Sequence, residues 1–327
     1  MTTANSSIRG NARSWSEGRQ RFLADVLPGL RQPQKVLPCK YFYDAHGSWL
    51  FEEICKLDEY YLTRTELAIM QRHAGEMARL IGPNSALIEY GSGASIKTRL
   101  LLDHLTTPAA YIPIDMSADF LYRSSREIAV RYPGLEVKPL CADFTAEYEL
   151  PALPHSVKRR VIYFPGSTIG NFGPADTDRL LSRMAAICGP DGAVLLGFDL
   201  QKDLKVLLAA YDDAKGVTRD FNLNLLARIN RELEANFDLE AFQHCARYNR
   251  DLNCIEMYLV SKRDQVVELS GQRISLAANE SIRTERSYKY NIKTFGRRIT
   301  DVGLHVEKIW TDERKYFAVA FLAVPSK

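Results

Sequence analysis

The sequence predicts an α/β fold: a mostly parallel sheet flanked by helices and closed by one antiparallel strand, with a second, smaller α+β module. Three observations predict it. Short apolar runs between residues 86 and 200 alternate with helical stretches, and several end at turns containing Gly, Asp or Pro. After Leu200 the alternation gives way to helices followed by paired strand patterns. A helix and two further strand patterns then finish the chain. Strands separated by helices of this length argue for βαβ units and a parallel sheet covered on both faces.

The elements follow in order. Ala86–Tyr90 is the first strand, followed by the turn GSGAS and a helix over Lys97–Leu105. Ala110–Ile114 is the second, ending at Asp115, and a helix from Ser117 to Arg131 stops at Pro133-Gly134. Leu135–Leu140 is the third, running into Cys141-Ala142-Asp143-Phe144. Arg160–Phe164 is the fourth, ended by Pro165-Gly166-Ser167. A helix over Asp176–Cys188 leads to the fifth, Ala193–Leu200. Helices at Lys205–Tyr211 and Phe221–Glu234, with strands at Leu252–Ser261 and Gln265–Leu269, form the interrupting block. Arg286–Tyr290, a helix at Ile292–Val302, and strands at His305–Trp310 and Tyr316–Val324 complete the chain.

Composition narrows the function classes. With 327 residues, 46% hydrophobic and 25% charged, the chain can bury a substantial core. Its net charge is only +3, and the basic residues are scattered rather than gathered into the stripe of a nucleic-acid binder. The six cysteines form no CxxC pair and the six histidines no HExxH, so reduced thiols and no metal centre are expected. The polar N-terminus lacks the apolar core of a secretory signal, and residues 1–16 are expected to be a mobile tail. No apolar run reaches the roughly 18 residues of a membrane span. A cytoplasmic monomer acting on a small molecule, with neither nucleic acid nor membrane as partner, is the expectation.

The segment Ala86–Lys97 places a Gly-rich turn between a strand and a helix, where free backbone N–H groups and a positive helix end can meet a ligand. Alone, Gly91-Ser92-Gly93 serves equally as a tight turn. Position strengthens the binding reading. Asp115 ends the second strand, 26 residues after Glu89, where a carboxylate can accept both ribose hydroxyls. Asp143 and Phe144 end the third, where an adenine can be met. A dinucleotide needs a closer phosphate fingerprint, whereas S-adenosylmethionine carries no phosphate and suits the looser turn. Lys97 could face its methionine carboxylate or be a solvated helix lysine.

Longer motifs carry a resemblance. GSGASIKTR, FPGSTIGNF, YDDAKGVTRDFNLNLLARINREL, CIEMYL and IRTERS, with KYFYDAHGSWLFEEICKLDEYYLTRTE near the N-terminus, closely resemble the histidine-specific N-alpha-methyltransferases of ergothioneine biosynthesis. The resemblance runs from about Leu37 to Pro325. It implies a class I methyltransferase (Rossmann-like) domain over residues 65–201 and 289–327, and a substrate-recognition domain over 17–64 and 202–288. It implies cofactor contacts from Gly91, Lys97, Asp115, Asp143 and Phe144. Tyr60, Asn171 and Tyr211 are then expected to hold the substrate α-carboxylate. Glu285 and Ser287 would hold the imidazole beside Met257, with Tyr43 and the backbone at Gly166 near the reacting amine. Arg286 departs from the aliphatic residue expected there. If its neighbours point inward from a strand, it points outward.

The activity so implied is trimethylation of the α-amine of L-histidine to its betaine, hercynine, with S-adenosylmethionine as cofactor. The alternative is a same-family N-methyltransferase acting on tryptophan, tyrosine or a derivative, which would need a more apolar pocket than Glu285 and Ser287 provide. A silent adenosylmethionine sensor is disfavoured by the amino-acid motifs. A nucleic-acid methyltransferase is disfavoured by Pro165-Gly166-Ser167-Thr168, which stands where an Asn-Pro-Pro-Tyr motif would fall.

Overall fold

A computed structural model describes residues 18–93 and 96–326. The expected tail over residues 1–16 lies outside the described residues, as do Ala94 and Ser95 of the Gly-rich turn. The chain divides into two compact units. One comprises Tyr60–Asp203, Arg250–Cys254 and Ser287–Lys327; the other comprises Met1–Glu59, Leu204–Asn249 and Ile255–Arg286.

The first unit is built on the expected sheet. Its strands lie in the order His305–Thr311, Phe317–Ala323, Ala193–Asp199, Arg159–Phe164, Ser85–Tyr90, Ala110–Asp115 and Glu136–Val137. Phe317–Ala323 runs antiparallel to Ala193–Asp199, while the strands from Ala193–Asp199 to Glu136–Val137 pair in parallel. Every residue of Ser85–Tyr90 is buried, as covering both faces requires. Ile88, Ile112, Ile162, Val194 and Leu196 fill the centre of the core.

The third strand differs from expectation. It splits into Glu136–Val137 and Leu140–Cys141, both pairing with Ala110–Asp115. The break falls at Lys138-Pro139, because proline has no N–H to give the ladder. The helix Tyr61–Ile81 was not anticipated. Its buried stripe of Leu62, Ile69, Met70, Ala74, Met77 and Ile81 has helical spacing, and one member of that stripe is Glu66.

The second unit holds helical residues 18–30 and the helices Ala45–Ile54, Leu204–Ala209 and Val217–Leu233. A four-stranded sheet runs in the order Lys35–Val36, Ser281–Tyr288, Cys254–Ser261, Phe242–Asn249. The last two residues of Ser281–Tyr288 fall in the first unit. The sequence pattern missed Phe242–Asn249, whose polar residues hide the alternation, and Gln272–Leu276. The latter forms a hairpin with Gln265–Leu269, turning at Ser270 and Gly271, both with positive φ. Of the segment expected as a separate strand, Arg286–Tyr290, the first three residues end the strand Ser281–Tyr288 and the last two lie beyond it.

Candidate active site

In the first unit the strand ends collect the residues expected to meet a cofactor. Gly91 and Gly93 take φ of 68° and 45°, a left-handed turn that glycine enters without penalty. The Gly93 N–H faces Asp115 Oδ2 at 3.5 Å, and Ser117 N–H donates to Oδ1 at 2.9 Å. These bonds fix the carboxylate at the strand end, although burial still raises its pKa above the usual value. Asp143 Oδ1 accepts from the Thr145 N–H at 2.9 Å, closing an Asx turn. Phe144 stacks on Tyr90 with ring centroids 5.0 Å apart and meets Phe164 edge-on. An aromatic platform, two fixed carboxylates and a Gly turn are a donor and acceptor set that fits an adenosine bearing no phosphate.

Beneath this turn lies a carboxylate the sequence reading did not single out. Glu66 is fully buried and accepts the Gly166 N–H at 3.0 and 3.1 Å. It also pairs with the Lys97 ammonium. Lys97 is therefore not a solvated helix lysine; its charge is partly balanced from below. Gly197 makes the room, since a Cβ there would lie 2.3 Å from Glu66 Oε1. Gly166 has φ of 77°, and a Cβ on it would stand 3.7 Å from Lys97 Nζ. An acidic residue on an otherwise apolar helical stripe was the available signal for Glu66.

Glu89 is a second buried carboxylate. Thr98 Oγ1 donates to it at 2.6 and 2.7 Å, and the Tyr111 hydroxyl donates as well. Burial nevertheless outweighs these bonds and pushes its pKa up to about 7. It ties the start of the helix Ile96–Leu102 to two strands behind the turn.

The residues expected to contact an amino acid are placed as follows. In the first unit, Tyr60 is buried at the start of the helix Tyr61–Ile81, its carbonyl accepting from Arg64 at 3.3 Å. Asn171 ends the short 3-10 helix Thr168–Asn171, just after the Gly166 loop. Ser287 is buried near the end of its strand. Its Oγ accepts from Lys289 Nζ at 2.9 Å.

In the second unit, Tyr43 follows the 3-10 helix Cys39–Phe42 and meets the rings of Phe51 and Phe221 edge-on. Tyr43 keeps 36% of its surface exposed. Even so, burial, then Glu285, then Cys39, Cys55 and Tyr211 hold its pKa well above that of an ordinary phenol. The electrostatics thus bring Tyr43, Tyr211 and Glu285 into one neighbourhood. The Tyr211 backbone is pinned by His244, whose Nε2 lies 2.8 Å from its carbonyl while Nδ1 lies 2.8 Å from the Asn222 amide nitrogen. A neutral ring with Nε2–H donating and Nδ1 accepting satisfies both contacts. Met257 is buried, and its carbonyl accepts from Thr284 Oγ1 at 3.2 Å. Arg286 is held by Glu256 at 2.8 Å, so the unexpected cation has its own counter-charge.

Among the described residues, no group of three or more His, Cys, Asp or Glu is placed to hold a metal ion. Among the same residues, no helix is long and apolar enough to cross a membrane.

A parallel sheet with one antiparallel strand, a Gly-rich turn after its first strand and carboxylates ending the next two define a class I S-adenosylmethionine-dependent methyltransferase. Comparison with known proteins makes the assignment finer. The family described as "Histidine-specific methyltransferase, SAM-dependent" matches residues 22–324, and the chain belongs to that family. It is 42% identical over 301 residues to the histidine N-alpha-methyltransferase of Mycolicibacterium smegmatis, covering 90% of this chain and 92% of the relative. It is 41% identical over 304 residues to that of Mycobacterium tuberculosis, covering 91% and 94%. Ergothioneine biosynthesis protein 1 of Neurospora crassa is 29% identical over 289 residues, which are 86% of this chain and 32% of that protein.

Proposed function

We propose that this enzyme transfers three methyl groups in succession to the α-amine of L-histidine, giving the trimethyl betaine that begins ergothioneine synthesis. The observation that carries this reading is the family match over residues 22–324, which includes every residue proposed for the site. Bound S-adenosylmethionine supplies an electrophilic methyl on a sulfonium. The protein's part is to place a neutral amine in line with it, and placement of this kind lowers a barrier by several kcal/mol.

Gly91, Asp115, Asp143 and Phe144 are proposed to hold the adenosine, and Lys97 the cofactor carboxylate from its place above Glu66. Tyr60, Asn171 and Tyr211 are proposed to grip the substrate carboxylate as neutral donors. That choice keeps a second cation away from the sulfonium. Glu285 and Ser287 take the two imidazole nitrogens, with Met257 packed beside the ring. Tyr43 is proposed to orient the amine through its hydroxyl, with the Gly166 backbone flanking it. The amine loses one proton before each transfer. Three protons leave the α-nitrogen per histidine, and that nitrogen keeps no N–H in the last product.

Incubating the protein with labelled adenosylmethionine and the twenty amino acids, then identifying labelled products by mass, tests the proposal. Mono-, di- and trimethylhistidine are expected. Label confined to tryptophan or tyrosine would replace histidine as the substrate, and label in no amino acid would overturn the reading.

A further inference from the structure

In the second unit, the turn that carries Tyr211 is tied down by side chains that the reaction as described does not use. Tyr211 lies just past the helix Leu204–Ala209, where the last carbonyls of a helix have no partner within it. Its N–H donates to the Leu208 carbonyl at 3.0 Å, and its own carbonyl lies 2.8 Å from His244 Nε2. Two residues on, Asp213 accepts the N–H groups of Val217 and Thr218 at 3.0 and 2.8 Å and so holds the start of the helix Val217–Leu233. That helix also carries Asn222, which is fully buried. Asn222 Nδ2 lies 2.8 Å from His244 Nδ1 and donates to the Tyr258 carbonyl at 3.1 Å. A chain of contacts therefore runs from the strand Cys254–Ser261, through the helix and the strand Phe242–Asn249, to the Tyr211 backbone.

The order of these contacts fixes the ring proton. A backbone carbonyl only accepts, so the Asn222 group facing Tyr258 must be the amide nitrogen. The same nitrogen faces His244 Nδ1, which must then be the bare acceptor. A neutral imidazole has one N–H, so it sits on Nε2 and points at the Tyr211 carbonyl. Reversing the amide would set Asn222 Oδ1 against the Tyr258 carbonyl, oxygen against oxygen. Moving the ring proton to Nδ1 would set N–H against N–H at one end and a bare nitrogen against a carbonyl oxygen at the other. Burial lowers the His244 pKa below 6.5 and so keeps the ring neutral. Arg219 pushes the same way, while the Tyr211 carbonyl, Asp212 and Asp213 pull against it. Asp212 Oδ1 stands 3.9 Å from Nε2, too far to replace the carbonyl as acceptor.

Resting on the reading that Tyr211 holds the substrate carboxylate, we infer that Asn222 and His244 are positioning residues for it. The amide sets the imidazole tautomer, and the Nε2–H so created fixes the turn from which Tyr211 reaches the carboxylate. Neither side chain touches the substrate in this role. Losing the bond releases the Tyr211 carbonyl, and a shift of about 1 Å in a group that places a substrate costs up to about a hundredfold. The carboxylate is gripped before and during methyl transfer alike, so the loss falls on the Michaelis constant rather than on kcat.

The test is steady-state kinetics of the full chain with L-histidine and S-adenosylmethionine, beside calorimetric binding of S-adenosylhomocysteine. His244→Leu should raise the Michaelis constant for histidine about tenfold, with kcat within about threefold and adenosylhomocysteine affinity within about twofold of the parent's. His244→Gln, whose amide nitrogen can replace Nε2 as donor, should recover most of that loss. In a Tyr211→Phe background, His244→Leu should add less than about twofold, because the hydroxyl it positions is gone. In nitrogen NMR of the histidine-labelled parent, the His244 ring, assigned by its absence from His244→Gln, should be the neutral Nε2–H tautomer. Three results would each overturn the inference and leave the substrate reading intact: a Michaelis constant unmoved by His244→Leu, a rise as large in the Tyr211→Phe background as in the parent, or an Nδ1–H ring. If His244→Leu does not fold, Asn222→Leu takes its place in the same comparison, with the same outcomes. A Tyr211→Phe enzyme with the parent's Michaelis constant sinks the Tyr211 reading and this inference with it.

Discussion

Replacing Glu89 by Gln should make the fold more stable at alkaline pH than at acid pH, relative to the parent. In the unfolded chain this carboxyl ionises near 4.5, whereas in the fold burial delays ionisation to about 7. The folded pKa is raised, so the protein loses stability as pH climbs from the lower value to the higher, and the loss is complete above both. Each pH unit in that window costs about 1.4 kcal/mol, so the full penalty is about 3 kcal/mol. Between about pH 5 and about pH 8 the change is about 2.5 kcal/mol. Gln can still accept from Thr98 and Tyr111, and it never ionises. Any fixed packing difference cancels when the same two proteins are compared across pH. Equilibrium urea unfolding of parent and Glu89→Gln at both ends of the window reads the difference directly. A stability gap between the two proteins that stays constant with pH would refute the claim that Glu89 is buried with a raised pKa.

Glu285→Ala should raise the Michaelis constant for histidine about ten- to hundred-fold, the range for a hydrogen bond to a charged group. Binding of adenosylhomocysteine should stay within about twofold; equal losses of both ligands in calorimetric titrations would contradict the assignment. Gly197→Ala puts a methyl 2.3 Å from Glu66 Oε1 and should therefore weaken cofactor binding together with thermal stability. A melting temperature and cofactor affinity matching the parent's would show that Glu66 yields freely. His244 has its pKa held below 6.5 by burial. As pH falls below that value the unfolded chain takes up a proton before the fold does, and stability drops. His244→Gln should remove that acid-side decline, seen as a flatter plot of melting temperature against pH.

Much of the methyltransferase sheet was legible because each strand carries its own apolar run and each turn its own Gly, Asp or Pro. Leu135–Leu140 was legible only as a run, because the effect of Pro139 shows once a neighbouring strand asks for its N–H. Phe242–Asn249 carries His244, Cys245 and Arg247 among its residues and gives no apolar alternation to read. The site divides along similar lines. Asp115 and Asp143 announce themselves by ending strands. Tyr43, Tyr60 and Met257 are ordinary packing residues by pattern, and only the long shared motifs single them out. Glu66, Lys97 and Gly166 lie 100 residues apart at the extremes, counting from Glu66 to Gly166. They come from different elements, so no local spacing connects them.

The Glu66 carboxylate binds two pieces of chain from different elements: the helix start at Lys97 and the loop at Gly166. Withdrawing either alone would strip a buried anion of a partner, a change that costs about 1.5–3 kcal/mol for a hydrogen bond to a charged group and more for the ion pair. The two pieces therefore behave as a latch with a common pin. An enzyme that reloads three times for each molecule it finishes gains from such a linkage, since the residue proposed to hold the cofactor carboxylate and the loop proposed to flank the amine keep one spacing through every cycle.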